Sequence, residues 1–465
     1  MESAFLGVPW GGLNSKRFSM YQLKTFSKGQ ISGGEEFSVR PGALDGVTIM
    51  RYAHLYRNRA SGGVDQYLRH LDKGLLQRHR MTVLQTHLIK DGTDHATEVD
   101  HVGVGRIVWL PVPIRQTHSA LGDLPARIGY IWKRTLRMGQ REGKGQYRAM
   151  FSSVQALLRH QGGHLRHKAA VLSDHLPHLL QVHNVDLLAL HWLTYDTNAL
   201  ILRALESRVP FVLISHFDNA RLSLPEMRKW ITLAAGIGTV SDQGIPDDLR
   251  HRCVNLSDAV DTEFFTPEKA RPVQLPACPI VLLPGRIIDG KGHHDLIQAA
   301  SILLARGVDL VACFAGAVDS EPLHQELRRS AAAKGLEGRM LFLGEISPEE
   351  LRGWYARSSM VVLPSYSEGL PRVVLEAQAM KKPVVAYNCG GTSKSLLPNE
   401  TGFLVERGEV EALADKISFI LKDEAQRLRM GERGREFVCR QFSISALIQR
   451  HEAFYLRALS RARSE

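Results

Sequence analysis

The feature that most constrains the fold is a repeated alternation of short apolar runs with longer amphipathic stretches. Runs such as 187–190, 211–214 and 280–283 contain only Leu, Ile, Val, Phe and Ala. Amphipathic segments lie between such runs, and one of them, 63–77, has apolar residues at helical spacing. Strands that alternate with helices form right-handed βαβ units around a parallel sheet, so the pattern predicts an α/β fold.

The alternation occurs twice, which predicts two domains in a chain of 465 residues. A stretch rich in Pro and charge separates the two series. We predict a loose extension over 1–45, a first Rossmann-like domain over 46–260, a second Rossmann-like domain over 261–440, and a C-terminal helix over 441–465 that crosses back. Ligands in doubly wound sheets bind outside the carboxyl ends of the strands, so we expect the two domains to face a central cleft.

Composition excludes several classes of protein. No apolar run approaches the about 20 residues that a membrane-spanning helix needs, and the first residues lack the pattern of a signal peptide. The five cysteines lie far apart without a C-x-x-C pair, which argues against a disulfide framework or a thiolate zinc site. We therefore expect a cytoplasmic protein.

The net charge of +11 is concentrated in one segment, 127–168, which holds ten Lys or Arg and one acid. A solvated surface is the simplest interpretation. The alternative is a surface for an anionic acceptor or an anionic membrane, because bulky residues such as Trp132 are interleaved with the cations. Nucleic acid is a third interpretation, but no binding motif supports it, and we expect no such partner.

A first candidate site follows the apolar run 280–284. Gly285 allows a sharp turn, and Arg286 and Lys291 place two cations before a predicted helix over 293–305. Cations beside a helix N-terminus favour a bound diphosphate. A basic surface loop is the alternative interpretation.

A second candidate site contains Glu368 and Glu376, with seven residues between them and Pro371 at a predicted helix start. Carboxylates bind vicinal hydroxyls well, since each oxygen accepts more than one hydrogen bond. Acids near a helix start also complement its dipole, which is the alternative interpretation.

Together the two motifs resemble family 4 of the glycosyltransferases, and the resemblance runs from about 279 to 405. It includes Phe-Leu-Gly-Glu-Ile at 342–346, Val-Leu-Pro-Ser at 362–365 and Thr-Gly-Phe-Leu-Val at 401–405. The resemblance implies a GT-B fold, a UDP- or GDP-sugar donor, retention of anomeric configuration, and no metal or other cofactor. It assigns the nucleotide sugar to the predicted domain over 261–440 and the acceptor to that over 46–260, and we expect transfer of a hexose to an acceptor hydroxyl. The cations and bulky groups of 127–168 favour a glycan or lipid-linked acceptor at the inner face of the membrane, as in cell-surface polysaccharide or glycolipid assembly.

The resemblance also implies roles for individual residues. Arg286 and Lys291 would bind the donor diphosphate and stabilise the charge of the leaving group. Glu376 would bind the ribose hydroxyls, and Glu368 the hydroxyls of the transferred sugar. The backbone around these side chains completes the implied donor site at Gly285, Ile346, Gly369, Leu370, Arg372 and Val373.

On the acceptor side the resemblance implies a Gly62-Gly63 loop after the first strand and a histidine, His216, at the end of a later strand. His191, at the end of a neighbouring predicted strand, is a further candidate. A plain helix C-cap or loop, and histidines with a structural role, are the alternative interpretations. The chain has Asp258-Ala259 where the family usually has Asn-Gly, and Lys394 near a usual glutamate.

Other functions remain open at this point. A nucleotide-sugar epimerase on the same fold would interconvert sugars without an acceptor, and a basic nucleic-acid-binding protein would show binding that depends steeply on salt. His160, His164 and His167 lie at roughly helical spacing and could ligate a metal, but no fourth ligand accompanies them.

Overall fold

A computed structural model describes residues 39–55, 63–90, 98–114, 172–173, 175–191, 197–216, 222, 225–240, 244–271, 273 and 278–464. These residues divide into two compact units. One unit holds those up to 215 with 225–237 and 454–464, and the other holds 216, 222 and 238–453. Most of the predicted extension lies outside the described residues. The predicted boundary at 260 lies inside the second unit.

The first sheet has eight strands in the order β3-β4-β2-β1-β5-β6-β7-β8. Its central pairings are parallel, and β3 runs antiparallel to β4. The strands are β1 Thr48–Leu55, β2 Thr82–Lys90, β3 Glu98–Val102, β4 Gly105–Ile114, β5 Leu187–His191, β6 Phe211–Ser215, β7 Gly236–Thr239 and β8 Cys253–Asn255. The helices are α1 Gly63–Arg78, α2 Thr197–Glu206 and α3 Pro225–Leu233.

The second sheet has six strands in the order β11-β10-β9-β12-β13-β14, and its pairings are parallel. The strands are β9 Ile280–Pro284, β10 Val311–Ala315, β11 Met340–Gly344, β12 Met360–Leu363, β13 Val384–Tyr387 and β14 Gly402–Val405. The helices are α4 His293–Ala305, α5 Glu321–Ala333, α6 Pro348–Arg357, α7 Arg372–Ala379, α8 Val410–Lys422, α9 Glu424–Gln441 and α10 Ile444–Ser464.

Helices cover both faces of the second sheet, which explains its continuously apolar strands. Every residue of β9 is buried, and successive residues pack into different clusters. Val281 and Leu283 pack with residues of α4 and α8, whereas Ile280 and Leu282 pack with residues of α6 and α7. The period-two alternation of side chains along a strand thus builds one core on each face.

The chain reverses its direction of travel across the second sheet between β9 and β12. It runs outward through β10 and β11, returns to pair β12 with β9, and continues through β13 and β14. The first sheet has the same kind of switch between β1 and β5. In doubly wound sheets the ligand crevice opens at this point, beyond the carboxyl ends of the strands. The loops after β9 and β12 lie at the switch point of the second sheet.

Candidate active site

Lys291 and Glu368 meet at the switch point of the second sheet. Lys291 lies in the loop after β9 and Glu368 in the loop after β12, and the Nζ atom donates to Oε1 across 2.6 Å. Their side chains are 25% and 13% exposed. An ion pair shielded to this degree is screened less than a surface pair, so each charge strongly affects the other.

The two loops approach each other closely, and glycine makes that approach possible. Gly292 has φ +72°, and a Cβ atom there would lie 1.9 Å from the carbonyl oxygen of Pro364. A hydrogen bond from the Tyr366 amide to the Gly290 carbonyl, 2.8 Å long, joins the same loops. Gly391 allows a similar approach, because a Cβ atom there would lie 1.7 Å from the Gly369 carbonyl oxygen. The predicted donor-site backbone is thus packed tightly.

Arg286, the second cation of the loop after β9, pairs with an acid that the sequence analysis did not select. Its Nη1 donates to Oδ2 of Asp319 across 2.7 Å, and the arginine side chain is 63% exposed. Asp319 follows β10, the neighbouring strand. Both cations of the candidate site therefore rest against a carboxylate, and Arg286 is the more solvated of the two.

Glu376 lies inside α7 and is buried. Tyr355, on α6, donates its phenol to Oε2 of Glu376 across 3.0 Å. Burial raises the pKa of the Glu376 carboxyl, while Arg372 and the Tyr355 hydrogen bond act in the opposite direction. Asp258 adds a second negative charge nearby, and burial raises the pKa of its carboxyl as well. Glu376 is therefore an acceptor for hydroxyl groups in a poorly solvated place.

Helix α7 begins without a side-chain cap. Pro371 occupies the position before the helix, with φ −74°, and its side chain makes no capping hydrogen bond. The first amides of a helix lack intrahelical partners and carry the positive end of its dipole. Arg372 and Val373 are the first two residues of this helix, and the role that the resemblance implies for their backbone N–H groups stays a prediction. Pro371 has no N–H to donate.

The remaining predicted donor residues border the same loops. Gly285 directly follows β9 and donates its amide to the Ala315 carbonyl across 2.8 Å. Ile346 and Leu370 are partly buried and pack against the core on the α7 side. The structure thus gathers the predicted donor residues in the second unit, and their individual roles stay predictions.

The predicted acceptor-side residues are less completely described. Gly62 lies outside the described residues, and Gly63 is the first residue of α1. His191 ends β5, which pairs with β1 at the switch point of the first sheet, and it is fully buried. His216 follows β6 and is 6% exposed. No finding tests the proposed roles of these residues.

Two further predictions fall wholly or partly outside the described residues. The basic segment 127–168 and the histidines at 160, 164 and 167 lie in the undescribed range 115–171. Within the part of the chain that is described, no group of three His, Cys, Asp or Glu could hold a metal ion. Among the described helices, none combines the length and apolarity needed to cross a membrane.

Solved structures identify the class of fold. A glycosyltransferase from Rickettsia africae superimposes with a TM-score of 0.63 over 89% of this chain and 98% of its own, at 18% identity. Anabaena HepE in complex with UDP-glucose superimposes with a TM-score of 0.55 over 88% of this chain and 99% of its own, also at 18% identity. The predicted GT-B fold with two Rossmann-like domains is thereby confirmed.

The second unit also matches a family by sequence. Residues 268–437 match the model of the family described as Glycosyl transferases group 1. The capsular polysaccharide biosynthesis glycosyltransferase CapM of Staphylococcus aureus is 30% identical over 171 residues, which are 37% of this chain and 44% of CapM. The chain spans about half the length of the curated relatives it matches.

Proposed function

We propose that the protein is a retaining glycosyltransferase that moves a hexose from a UDP- or GDP-sugar to an acceptor hydroxyl. The observation that carries this proposal is the meeting of Lys291 and Glu368 at the switch point of a glycosyltransferase group 1 domain. A cation for a diphosphate and a carboxylate for sugar hydroxyls lie side by side there, at the place where such a fold binds its ligand.

In the proposed reaction, Arg286 and Lys291 bind the diphosphate and stabilise the negative charge that develops as it leaves. Glu376 accepts hydrogen bonds from the ribose hydroxyls, and Glu368 accepts them from the transferred sugar. The departing diphosphate takes the proton of the acceptor hydroxyl. Two fixed cations supply the positive charge that a metal ion supplies in other phosphate chemistry, so we propose a reaction without metal or other cofactor.

The comparisons support a nucleotide-sugar donor and a glycan or lipid-linked acceptor. HepE, which shares the fold, was solved with UDP-glucose, and CapM takes part in capsular polysaccharide biosynthesis. We propose that this protein works in cell-surface polysaccharide or glycolipid assembly. Gly62, Gly63, His191 and His216 are the residues proposed for the acceptor side.

We also propose that the basic segment 127–168 binds an anionic membrane at the cytoplasmic face. Its charge of +9, interleaved with bulky residues, supports this proposal. Flotation with vesicles that contain phosphatidylserine should carry the protein upward at low salt and leave it behind at high salt. Equal flotation with neutral and anionic vesicles would contradict the proposal of an anionic membrane partner. The proposed transfer reaction would not be affected by that result.

The activity is tested by incubating the purified chain with UDP- and GDP-hexoses and following thermal stability. A true donor should raise the midpoint of unfolding by mass action. With a glycan acceptor, NMR of the product should show the anomeric configuration of the donor. Inversion of configuration would contradict retention, and interconversion of the donor sugar without acceptor would identify an epimerase instead.

A further inference from the structure

A single carboxylate beside the candidate site accepts hydrogen bonds from two phenols. Oδ2 of Asp295 lies 2.7 Å from the hydroxyl of Tyr387 and 2.9 Å from the hydroxyl of Tyr366. The two rings also contact each other edge to face, with centroids 5.8 Å apart and an angle of 84° between their planes. Asp295 therefore joins two aromatic side chains into one cluster, which we name the Asp295 cluster.

The Asp295 cluster connects the segments that carry Lys291 and Glu368. Asp295 lies in the first turn of α4, the helix that begins directly after the Lys291 loop. Tyr366 lies in the loop after β12, two positions before Glu368, and Tyr387 is the last residue of β13. Three elements from separate parts of the chain thus meet at one carboxylate.

Backbone contacts strengthen the same connection. The Tyr366 amide donates to the Gly290 carbonyl across 2.8 Å. Tyr366 therefore connects the Glu368 loop to the Lys291 loop through its backbone and to Asp295 through its side chain. Arg407, from the loop after β14, donates to the Tyr366 carbonyl across 3.4 Å. Contacts at the amide, the carbonyl and the hydroxyl of Tyr366 restrain the loop that contains it.

We propose that Asp295 is a positioning residue that fixes the separation of Lys291 and Glu368 through Tyr366 and Tyr387. The inference rests on the proposed function, because it assigns to Asp295 the geometry of a diphosphate and sugar site. Asp295 contacts neither the reacting atoms nor the nucleotide in this assignment. It acts by holding the loops in which the two binding side chains lie.

Electrostatics favours the hydrogen bonds on which this role depends. A carboxylate in the first turn of a helix is stabilised by the helix dipole, and an ionised carboxylate accepts stronger hydrogen bonds than a neutral group. Burial, together with the neighbouring Asp295, raises the pKa of both tyrosine hydroxyls. The phenols therefore stay protonated and continue to donate across the neutral range.

The test compares nucleoside diphosphates with nucleoside monophosphates. Binding of UDP, GDP, UMP and GMP to the full chain is measured by calorimetry for the wild type, Asp295→Ala and Asp295→Asn. For the diphosphate that the wild type binds, Asp295→Ala should lower the affinity about tenfold, since small misplacements of a binding group are costly. The corresponding monophosphate should bind each variant within about twofold of its wild-type affinity, because it offers one phosphate fewer to the two cations and depends less on their position. Asp295→Asn keeps one acceptor oxygen, so it should lose less affinity for the diphosphate than Asp295→Ala.

Two further variants separate positioning from folding. Tyr387→Phe and Tyr366→Phe each remove one hydrogen-bond donor and keep the ring. Each should therefore lose less diphosphate affinity than Asp295→Ala does, and each should again lose more affinity for the diphosphate than for the monophosphate. Asp415→Ala is the matched control, because Asp415 pairs with Arg306 at the other end of α4, 2.6 Å away on the surface. This variant should bind every nucleotide as the wild type does.

The outcomes are distinct. If the wild type binds a diphosphate and Asp295→Ala binds it equally well, the positioning role is overturned and the proposed function stands. An equal loss for diphosphate and monophosphate would show a general structural effect and would also overturn it. If the wild type binds neither UDP nor GDP, the proposed function fails, and the inference fails with it.

Discussion

The ammonium group of Lys291 lies 2.6 Å from Oε1 of Glu368, between the loops after β9 and β12. Both side chains are mostly shielded from solvent, so the carboxylate neutralises much of the positive charge that a diphosphate would otherwise meet. A ligand phosphate must therefore compete with Glu368 for the same ammonium group. This relationship predicts opposite effects on nucleotide binding and on sugar transfer when the acid is neutralised.

Replacing Glu368 with Gln should keep or raise the affinity for UDP or GDP, because Lys291 loses its counter-charge. The same variant should transfer sugar about 100-fold more slowly, since a neutral amide holds the sugar hydroxyls less strongly in the transition state. Calorimetry measures the first effect and steady-state turnover the second.

Glu406→Gln is the matched control for that experiment. Glu406 follows β14 at the same edge of the sheet, and it accepts a 3.1 Å hydrogen bond from Asn388. This substitution should leave both measurements unchanged. Wild-type turnover in Glu368→Gln would contradict the proposed role of Glu368 directly.

Tyr355→Phe tests the environment of Glu376. The phenol donates to the carboxylate across 3.0 Å, and a hydrogen bond to the charged form lowers the pKa. Its removal should raise the pKa of Glu376 further above the usual range, so that nucleotide affinity begins to fall at a higher pH as the solution is acidified. The free energy of unfolding should fall by about 1 kcal/mol.

The affinity of each protein for UDP or GDP, measured as a function of pH, checks this expectation. The midpoint of the loss should lie at a higher pH in Tyr355→Phe than in the wild type. Coincident pH profiles would show that Glu376 does not bind the nucleotide through its carboxylate.

Local patterns predicted the central strands and the helices of the second unit because burial on both faces leaves uninterrupted apolar runs. The helix predicted over 293–305 has those bounds in the structure. Strand β3, Glu-Val-Asp-His-Val, lacks that signal because it pairs on one side only, with β4. The alternating composition of such an edge strand resembles that of a polar loop.

The candidate site likewise contains residues that local sequence motifs predict and residues that they do not. Arg286, Lys291, Glu368 and Glu376 belong to motifs whose spacing is visible within one segment of the sequence. Their partners are not, because each partner comes from a distant segment. Arg286 and Asp319 are 33 positions apart, and Tyr355 and Glu376 are 21 apart on different helices. Only packing of the sheet brings such side chains together, so the sequence carries no local sign of them.

Breaking a buried ion pair should destabilise the first unit. Nη1 of Arg51, on β1, donates to Oδ1 of Asp72, on α1, and the arginine side chain has no exposed surface. Asp72→Ala would leave the guanidinium charge buried without its counter-ion, which typically costs about 3–5 kcal/mol. Urea unfolding should show this loss, while the affinity for nucleoside diphosphate stays unchanged below the transition.

The double variant Arg51→Met with Asp72→Leu supplies the comparison. It removes both charges together and should recover most of the loss, because apolar groups of similar size can replace a buried pair. If Asp72→Ala unfolds at the same urea concentration as the wild type, the pair contributes nothing to stability.

Acid should destabilise the second unit through His293, the first residue of α4. The residue is 2% exposed, and burial, with the nearby positive charges of His294 and Lys291, lowers its pKa to about 4. Between that value and the ordinary 6.5, the unfolded chain binds a proton that the folded chain excludes. The free energy of unfolding must therefore fall as the pH falls through this window, by up to about 3 kcal/mol.

His293→Phe removes the titrating group and keeps an aromatic ring near Phe314, whose centroid lies 5.7 Å from that of His293. Its stability should decline less than that of the wild type between pH 6.5 and pH 4 in urea unfolding. His294→Gln, a change at the exposed neighbour, should retain most of the wild-type decline. Parallel curves for His293→Phe and the wild type would mean that the buried imidazole takes up its proton in the folded chain as readily as in the unfolded one.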